Sequence, residues 1–489
     1  MDAQVLIVGA GPIGLTLSAL LRRQGVDVIV VESHPGLSRH PKARGISARS
    51  METFRALGIE DRIRAAGLPE EHVRFFHGDT LTSTDFTLSD PPDTQERTNT
   101  PSPGVLCSQD RLEPLLCEHA RERGARIEFG HRVTDVHETI DGVAVTADGL
   151  GTLRAQFVVG CDGARSTVRR SAGIALSGQK DLARFLSVRF RAPLGESVRD
   201  RTATSYFLSG GNGGFLAIDN DQYWIYQYPV PNGVDITVLR EDATRLIELV
   251  RVASAIPDLP VELLDTMVWR MDARIADVYR RGRILLAGDA AHQTPPTGGH
   301  GMNVGIGDAD TLAWMLGDVV HGRAAAALLD RYGRERRPVG EAVIAISSDN
   351  AGRRYGIDDE LLLGTAYGAE SPVRDTPYQP SVSPGRRLPH VALIGDPAVT
   401  STIDMIGTTP TLITAEEDPR WRHAAEASGI PVASVSSAER RPATAGAFVE
   451  RCGVAVGDAL LVRPDGHVAA HFTADETAHL PEELARLRC

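Results

Sequence analysis

The stretch that most constrains this chain runs from Gln4 to Ser33, QVLIVGAGPIGLTLSALLRRQGVDVIVVES. Val5 to Val8 is a short apolar run closed by glycine, the pattern of a strand covered on both faces. Leu15, Leu17, Leu20 and Leu21 give an apolar helix face, Gly25 stops the helix, and Val26 to Val31 returns as a second strand. Strand, helix and strand in this order predict a βαβ unit of an open, doubly wound α/β sheet. Gly9, Gly11 and Gly14 have the G-x-G-x-x-G spacing: one for the tight turn, one for close approach of backbone to a pyrophosphate, one for packing of helix on sheet. Glu32, ending the second strand, is placed to accept hydrogen bonds from both hydroxyls of a ribose. The fingerprint reads the adenosine diphosphate that NAD and FAD share, so it does not separate them.

A chain of 489 residues exceeds one ordinary core, and two or three domains are expected. The apolar fraction of 42% and charged fraction of 24% are those of a globular protein. A net charge of −12, with arginines interspersed among carboxylates, argues against nucleic-acid or anionic-membrane partners. Met1-Asp2-Ala3-Gln4 lacks a basic region, and the apolar run after it is short and broken by glycine, so a cytoplasmic location is expected. Cys107, Cys117, Cys161, Cys452 and Cys489 are scattered, with no CxxC and no Cys/His spacing for a metal, and no metal is expected.

Four further stretches carry polar residues at the ends of elements. In HPKARGISARSMETFRALGI, Lys42, Arg44 and Arg49 accompany a helix ending at Gly58, and Arg44 before Gly45 is the preferred phosphate or flavin contact. Gln109 opens the helix of SQDRLEPLLCEHARERG, where a side chain can face a ligand. In FVVGCDGARSTVRRSAG, Asp162 follows a strand and precedes a helix, and it serves either as a cap or, with Arg165 and Arg169 nearby, at an anion. In ILLAGDAAHQTPPTGGHGMN, Asp289 sits at the carboxyl end of an apolar strand, where open α/β sheets bind ligands. Gly298, Gly299 and Gly301 then lead into a helix starting near Met302, whose N–H groups suit developing negative charge. A ligand with a nucleotide diphosphate at one end, a polyol in the middle and a ring that becomes anionic on reduction fits all of these, and that ligand is FAD. On this reading Asp289 holds the ribityl chain, and the backbone from Gly299 through Gly301 and Met302 to Asn303 faces the pyrimidine edge of the ring.

Together GAGPIG, Glu32, Arg44-Gly45, SQDRLE, GCDGARSTVR and LLAGDAAHQTPPTGGHGMNVGIGDADTLAW resemble the class A flavoprotein aromatic hydroxylases, the group of para-hydroxybenzoate, phenol and aromatic-polyketide hydroxylases. The resemblance covers about the first 380 residues, with three separated motifs in order. It implies that Asp162-Gly163 serves FAD and the diphosphate of NADPH, that Pro296 lies near the flavin C4a position, and that Pro12, Ile13, Ser33 and Val133 also border the cofactor. His300 and Gly307 stand where many relatives carry Gln. The implied reaction uses NADPH or NADH to reduce the flavin; O2 adds at C4a, and the hydroperoxide hydroxylates a small aromatic substrate, phenolic or polyketide. Baeyer–Villiger insertion, epoxidation and a non-catalytic flavin scaffold are the alternatives. No acid/base pair is required, and no catalytic residue is assigned.

Between about 180 and 270 the pattern turns to strands, at RFLSVRFRA, TSYFLSG, GGFLAID, QYWIYQYPV and VDITVLR. The resemblance makes this an inserted antiparallel sheet bearing the substrate, with Tyr223, Ile225 and Gln227 on its substrate-facing side. After Ser383 the chain resembles the thioredoxin-like carboxyl-terminal domain of phenol and polyketide hydroxylases, with a hairpin across Pro464-Asp465-Gly466. Lacking CxxC, that domain is expected to serve packing or assembly, a homodimer included. The expected organisation is a Rossmann-type FAD-binding domain in two parts, 1–178 and 271–384, a substrate sheet domain at 179–270, and a thioredoxin-like domain at 385–489.

Overall fold

The apolar run at Ala3–Val8 lies at the centre of a sheet in the computed structural model, flanked in parallel by Gly151–Gly160 on one side and Val28–Glu32 on the other. The structure describes residues 1–38, 40–68, 73–89, 98–350, 360–369, 372–373 and 378–489. Ile284–Leu286 adds in parallel beyond Gly151–Gly160, and Arg126–Phe129 beyond Val28–Glu32. Strands covered on both faces must be apolar throughout, and Val5, Leu6, Ile7, Val28, Val30, Leu285 and Leu286 are all buried. The helix Pro12–Arg23 presents Leu15, Leu17, Leu20 and Leu21 to this core and packs on the long helix His300–Val320. That second helix begins at His300, earlier than Met302, because Gly299 at φ +71° supplies the left-handed turn into it.

The chain groups into two units: Met1–Gly67, Gln95–Ser177 and Arg274–Cys489 in the first, Leu68–Thr94 and Gly178–Ala273 in the second. The second unit is a sheet in the order Glu262–Ala276, Leu176–Arg191, Tyr223–Pro229, Gly214–Ala217, Ser205–Leu208, Phe75–Gly78, Phe86–Leu88. One face, formed by Phe76, Leu186, Val188, Phe190, Tyr206, Phe215, Trp224 and Tyr226, makes a core with Leu246 and Val250 of the helix Ala243–Ser254. Two features depart from expectation. Phe75–Gly78 joins the sheet alongside Ser205–Leu208 from far upstream, and VDITVLR forms a helix, Ile236–Glu241. Asp235 caps that helix, its carboxylate accepting from the Thr237 N–H at 2.9 Å. Ile236 and Leu239, three apart, both pack on the core, which a strand would have sent to opposite faces.

The carboxyl-terminal segment forms a sheet in the order Val432–Ser436, Thr411–Glu416, Ala459–Val462, Val468–Phe472. The first pair is parallel, joined through the helix Pro419–Ser428, and the last pair is an antiparallel hairpin, which is the thioredoxin-like arrangement. Burial pushes the Cys452 thiol up to about 12, so at neutral pH it stays an unreactive core group. This segment belongs to the same unit as the dinucleotide-binding sheet, and buried charge joins them. The Arg387 guanidinium donates from Nε to Glu52 Oε2 at 2.8 Å and from Nη2 to the other oxygen, with each side chain about 1% exposed. Thr100 also donates to Glu52, at 2.7 Å. Removing one partner of such a pair strands the other charge in a dry site. Arg387→Ala should therefore cost about 3–5 kcal/mol of unfolding free energy by denaturant titration, and a loss below about 1 kcal/mol would contradict the buried pairing.

Candidate cofactor and substrate sites

The first glycine turn is built by close approach. Gly9 has φ +108°, and a Cβ there would lie 2.4 Å from the Cys161 carbonyl oxygen; a Cβ on Gly14 would lie 2.0 Å from the Gly9 carbonyl oxygen. Gly11 differs: nothing lies within 4 Å of its Cβ position, and its φ of −77° suits any residue. The protein thus leaves space at the middle glycine, beside the helix terminus that Pro12 opens and no side chain caps. Ile13 plugs the contact beneath, its Cγ1 2.6 Å from a Cβ on Gly305 and 3.1 Å from one on Gly288. Glu32 is fixed by backbone: Oε2 accepts from the Ala10 N–H and Oε1 from the His34 N–H, each at 2.8 Å, with the Ser33 hydroxyl donating at 3.2 Å. A carboxylate has about four acceptor positions, so with three donors in place the held group keeps room for about one ribose hydroxyl rather than both. Val133, buried, follows two residues after His131, whose N–H bonds the Glu32 carbonyl.

Arg44 and Gln109 are brought together by their backbones, since Arg44 C=O accepts from Cys107 N–H at 2.9 Å and Ala43 C=O from Gln109 N–H at 2.8 Å. Arg44 is walled by protein although partly open to solvent, and burial draws its guanidinium down to about 10, still charged at neutral pH. The Gln109 amide donates to Glu113 at 2.6 Å. Asp162 divides its carboxylate. Oδ2 accepts from the Thr167 and Val168 N–H groups at 2.6 and 3.1 Å, a capping role, while Oδ1 is buried with no partner among the described residues. Burial raises this carboxyl, with Ser166 and the helix N–H groups opposing. A buried oxygen without a donor is what a ligand hydroxyl or amide would satisfy. Arg169 is a tether and not an anion contact: it donates to the carbonyls of Ala290 at 2.9 Å and Ala164 at 3.0 Å.

The Asp289 turn is the other half. Gly288, at φ +60°, donates its N–H to Asp308 Oδ2 at 3.1 Å. Asp289 itself lies exposed at a strand end, and no described residue donates to its carboxylate. Surrounding protein raises its carboxyl, partly offset by His292 and Lys42. The carboxylate therefore caps nothing among the described residues and stands open to donors from solvent or from a ligand. Pro296 is exposed, and its carbonyl accepts from the Gly299 N–H at 3.0 Å, closing the loop before the long helix. That helix has no side-chain cap and no acidic residue in its first turn, so the N–H groups around Gly301 and Met302 face the loop without a side-chain acceptor at the cap. The Asn303 side chain is a brace, donating to Gly45 and Gly299 carbonyls and accepting from the Ser47 N–H and Ser50 hydroxyl, which leaves only its backbone for a ligand. This brace holds the Arg44 loop to the helix terminus.

The second unit has its own candidate surface. Tyr223, Ile225 and Gln227 point away from the core-facing Trp224 and Tyr226, as the alternation requires. The same face carries groups with no strong signal in the sequence. Gln227 Oε1 accepts from the Ser187 hydroxyl at 2.7 Å and from the Trp269 indole at 3.0 Å, and Trp269 stacks on Phe185 with ring centroids 4.2 Å apart. Phe207 stacks on His77 at 5.1 Å. Burial lowers the His77 imidazole, so it is neutral at neutral pH. His77 escaped notice because a lone histidine in an unassigned strand looks like any core residue.

A glycine turn with room for a pyrophosphate, a ribose acceptor, an unpaired carboxylate and an open helix terminus define an FAD-binding oxidoreductase fold. Comparison with known proteins makes this specific. Residues 2–347 match the FAD binding domain family and residues 381–488 the aromatic-ring hydroxylase carboxyl-terminal family. The chain is 36% identical to aklavinone 12-hydroxylase RdmE of Streptomyces purpurascens, over 98% of this chain and 96% of that one. It is 32% identical to tetracenomycin B2 monooxygenase-dioxygenase of Streptomyces olivaceus, over 99% and 97%. Among solved structures it is similar to aklavinone-11 hydroxylase in its ternary complex with FAD and aklavinone, with a TM-score of 0.90 and 33% identity, covering 100% of this chain and 99% of that one. The flavin-dependent monooxygenase PieE, in complex with FAD and substrate, gives a TM-score of 0.89 at 27% identity, again over 100% and 99%. The chain belongs to the FAD-dependent aromatic-ring hydroxylases and is a flavoprotein monooxygenase. Among the described residues there is no metal-holding cluster, and no helix is long and apolar enough to cross a membrane.

Two substitutions separate cofactor roles from structural ones. Gly11→Ala places a methyl where the protein has room, so the apoprotein melting temperature should hold while FAD binding weakens at least tenfold, as titrated by flavin fluorescence; unchanged affinity would show that no pyrophosphate approaches there. Asp289→Asn should loosen FAD by about 1.5–3 kcal/mol per hydrogen bond weakened. Unaltered FAD affinity with a lowered apoprotein melting temperature would instead assign this carboxylate to the loop.

Proposed function

We propose that this hydroxylase acts in the cytoplasm on a polycyclic aromatic polyketide, taking O2 as co-substrate and NADPH or NADH as reductant. The observation that carries the substrate class is the sheet face of the second unit, where the flat rings of Phe185, Trp269, Phe207 and His77 share a face with one oriented amide, Gln227. With Gln227 Oε1 already accepting from Ser187 and Trp269, its NH2 is left to donate to a substrate oxygen. Phe207 and the Phe185–Trp269 stack, each half-buried, offer apolar area to a flat ring system, whereas Ile225, 1% exposed, is closed off beneath them. RdmE and the tetracenomycin enzyme, whose names carry polycyclic polyketides, support the same class.

When bound, FAD supplies hydride acceptance and the activation of oxygen for transfer to an electron-rich ring. The chain's part is to bind and orient. Glu32 would hold the ribose, the Gly11 turn the diphosphate, Asp289 the ribityl hydroxyls, and the terminus at Gly299–Asn303 the ring edge where charge develops. Gln227 would orient the substrate phenol or carbonyl, and neutral His77 is a group able to take up a phenolic proton. The test is substrate-stimulated NAD(P)H oxidation across simple phenols and tetracyclic polyketide aromatics, with product mass and position read by NMR. Tetracyclic substrates should stimulate oxidation more strongly and gain one ring hydroxyl. Preference for single-ring phenols, or insertion of oxygen into a ring carbon–carbon bond, would overturn this reading.

A further inference from the structure

The hairpin turn at Pro464-Asp465-Gly466 is buried, against the usual fate of such turns: Arg463, Asp465 and His467 are each 2–3% exposed. Arg463 forks onto Glu335 of the helix Leu328–Asn350, with Nη1 and Nη2 each 2.8 Å from a carboxylate oxygen. It also donates to both Asp465 oxygens, at 3.0 and 2.6 Å. Trp314 of the long helix donates its indole N–H to Asp465 at 3.1 Å. The guanidinium lies between two rings, 5.0 Å from the Trp314 centroid and 4.9 Å from that of Tyr367, and Tyr367 also packs against His467 at 4.2 Å. The Tyr367 hydroxyl bonds Thr311 at 2.9 Å and accepts from Arg336 Nη1 at 3.3 Å. Arg336 Nε donates to Asp308 Oδ1 at 2.8 Å, and Asp308 Oδ2 accepts from His292 Nε2 at 2.7 Å and from the Gly288 N–H. Gly288 is the neighbour of Asp289.

We propose that Arg463 and Tyr367 are positioning residues for the cofactor turn Gly288–Ala290, acting through Arg336 and Asp308, so that the carboxyl-terminal domain sets how tightly FAD is held. Every member of the route from Arg463 to Gly288 is buried: the Arg463 guanidinium, held by its fork on Glu335 and Asp465, packs on the Tyr367 ring, the Tyr367 hydroxyl accepts from Arg336, and Arg336 together with His292 sets the rotamer of Asp308, whose Oδ2 accepts from the Gly288 N–H. The domain, which carries no CxxC pair, thereby gains a role at the flavin without reaching it. The proposal rests on the assignment of the Asp289 turn to FAD.

Tyr367→Phe keeps the ring that Arg463 and His467 pack on and deletes only the hydroxyl; Arg463→Lys keeps charge and deletes the fork. In full-length apoprotein reconstituted with FAD, each should raise the FAD dissociation constant twofold or more, up to about thirtyfold, and change the visible circular dichroism of the bound flavin. The double variant should lose less than the product of the two single losses, as residues acting through one chain of contacts do. A dissociation constant within twofold of wild type and an unaltered flavin spectrum, alongside a lowered apoprotein melting temperature, would reduce the cluster to domain glue and overturn the proposal. Asp289→Asn run in parallel separates the two readings. If it loosens FAD while Tyr367→Phe does not, the coupling fails alone; if Tyr367→Phe loosens FAD while Asp289→Asn does not, the turn is still positioned by this route and only the carboxylate assignment falls.

Discussion

Asp308 is the constraint on which the rest of the cofactor site depends. It sits fully buried on the long helix, and burial by itself would raise its carboxyl, yet His292 and Arg336 outweigh that and hold it below the usual carboxylate range. A buried carboxylate is tolerated only when its oxygens are fully engaged, and here both are, by His292, Arg336 and the Gly288 N–H. The engagement ties the turn from Gly288 to His292 and the helix carrying Arg336 to one point on the long helix. Replacing it by an apolar residue would leave the Gly288 N–H without this acceptor in a buried site and let the turn relax.

Around that point the cofactor groove is shaped by backbone meeting backbone. Gly9 against Cys161, Gly14 against Gly9, and Gly305 against Ile13 are approaches that no side chain permits. They draw the helix Pro12–Arg23 onto the long helix and leave one glycine, Gly11, with open space before it. Polar groups follow the same economy. Those that hold the protein together, such as Asn303 and Arg169, have their partners within the chain, whereas Asp162 Oδ1 and the Asp289 carboxylate have none among the described residues. That division between satisfied braces and unsatisfied acceptors marks where a ligand belongs.

How much of this could be read from one sequence follows from the same physics. The glycine turns and the strand-end acids Glu32, Asp162 and Asp289 stood out as candidates because an apolar run closing on glycine or an acid is the local signature of a strand end in an open α/β sheet. The hairpin at Pro464–Gly466 was legible as a turn, but its burial was not, since Asp465 meets Trp314, and Arg463 meets Glu335, only in three dimensions. GIGDADTLAW was legible as part of a motif, but the pairing of its Asp308 with Arg336, 28 residues further on, leaves no local trace in the sequence. VDITVLR was misjudged because its β-branched residues outweighed, in a reading by propensity, the cap that Asp235 provides. The strand at Phe75–Gly78, with Phe75 and His77 on its outer face, pairs with a partner far along the chain, and such pairing leaves no local trace.

The central claim is that the groove between the Gly11 turn and the Asp289 turn holds FAD, and the absorbance of the purified protein tests it most directly. The account predicts a yellow protein, with FAD released on denaturation at about one per chain and the flavin band bleached by NADPH or NADH under anaerobic conditions. A folded, colourless protein that takes up no FAD from micromolar solution would contradict it.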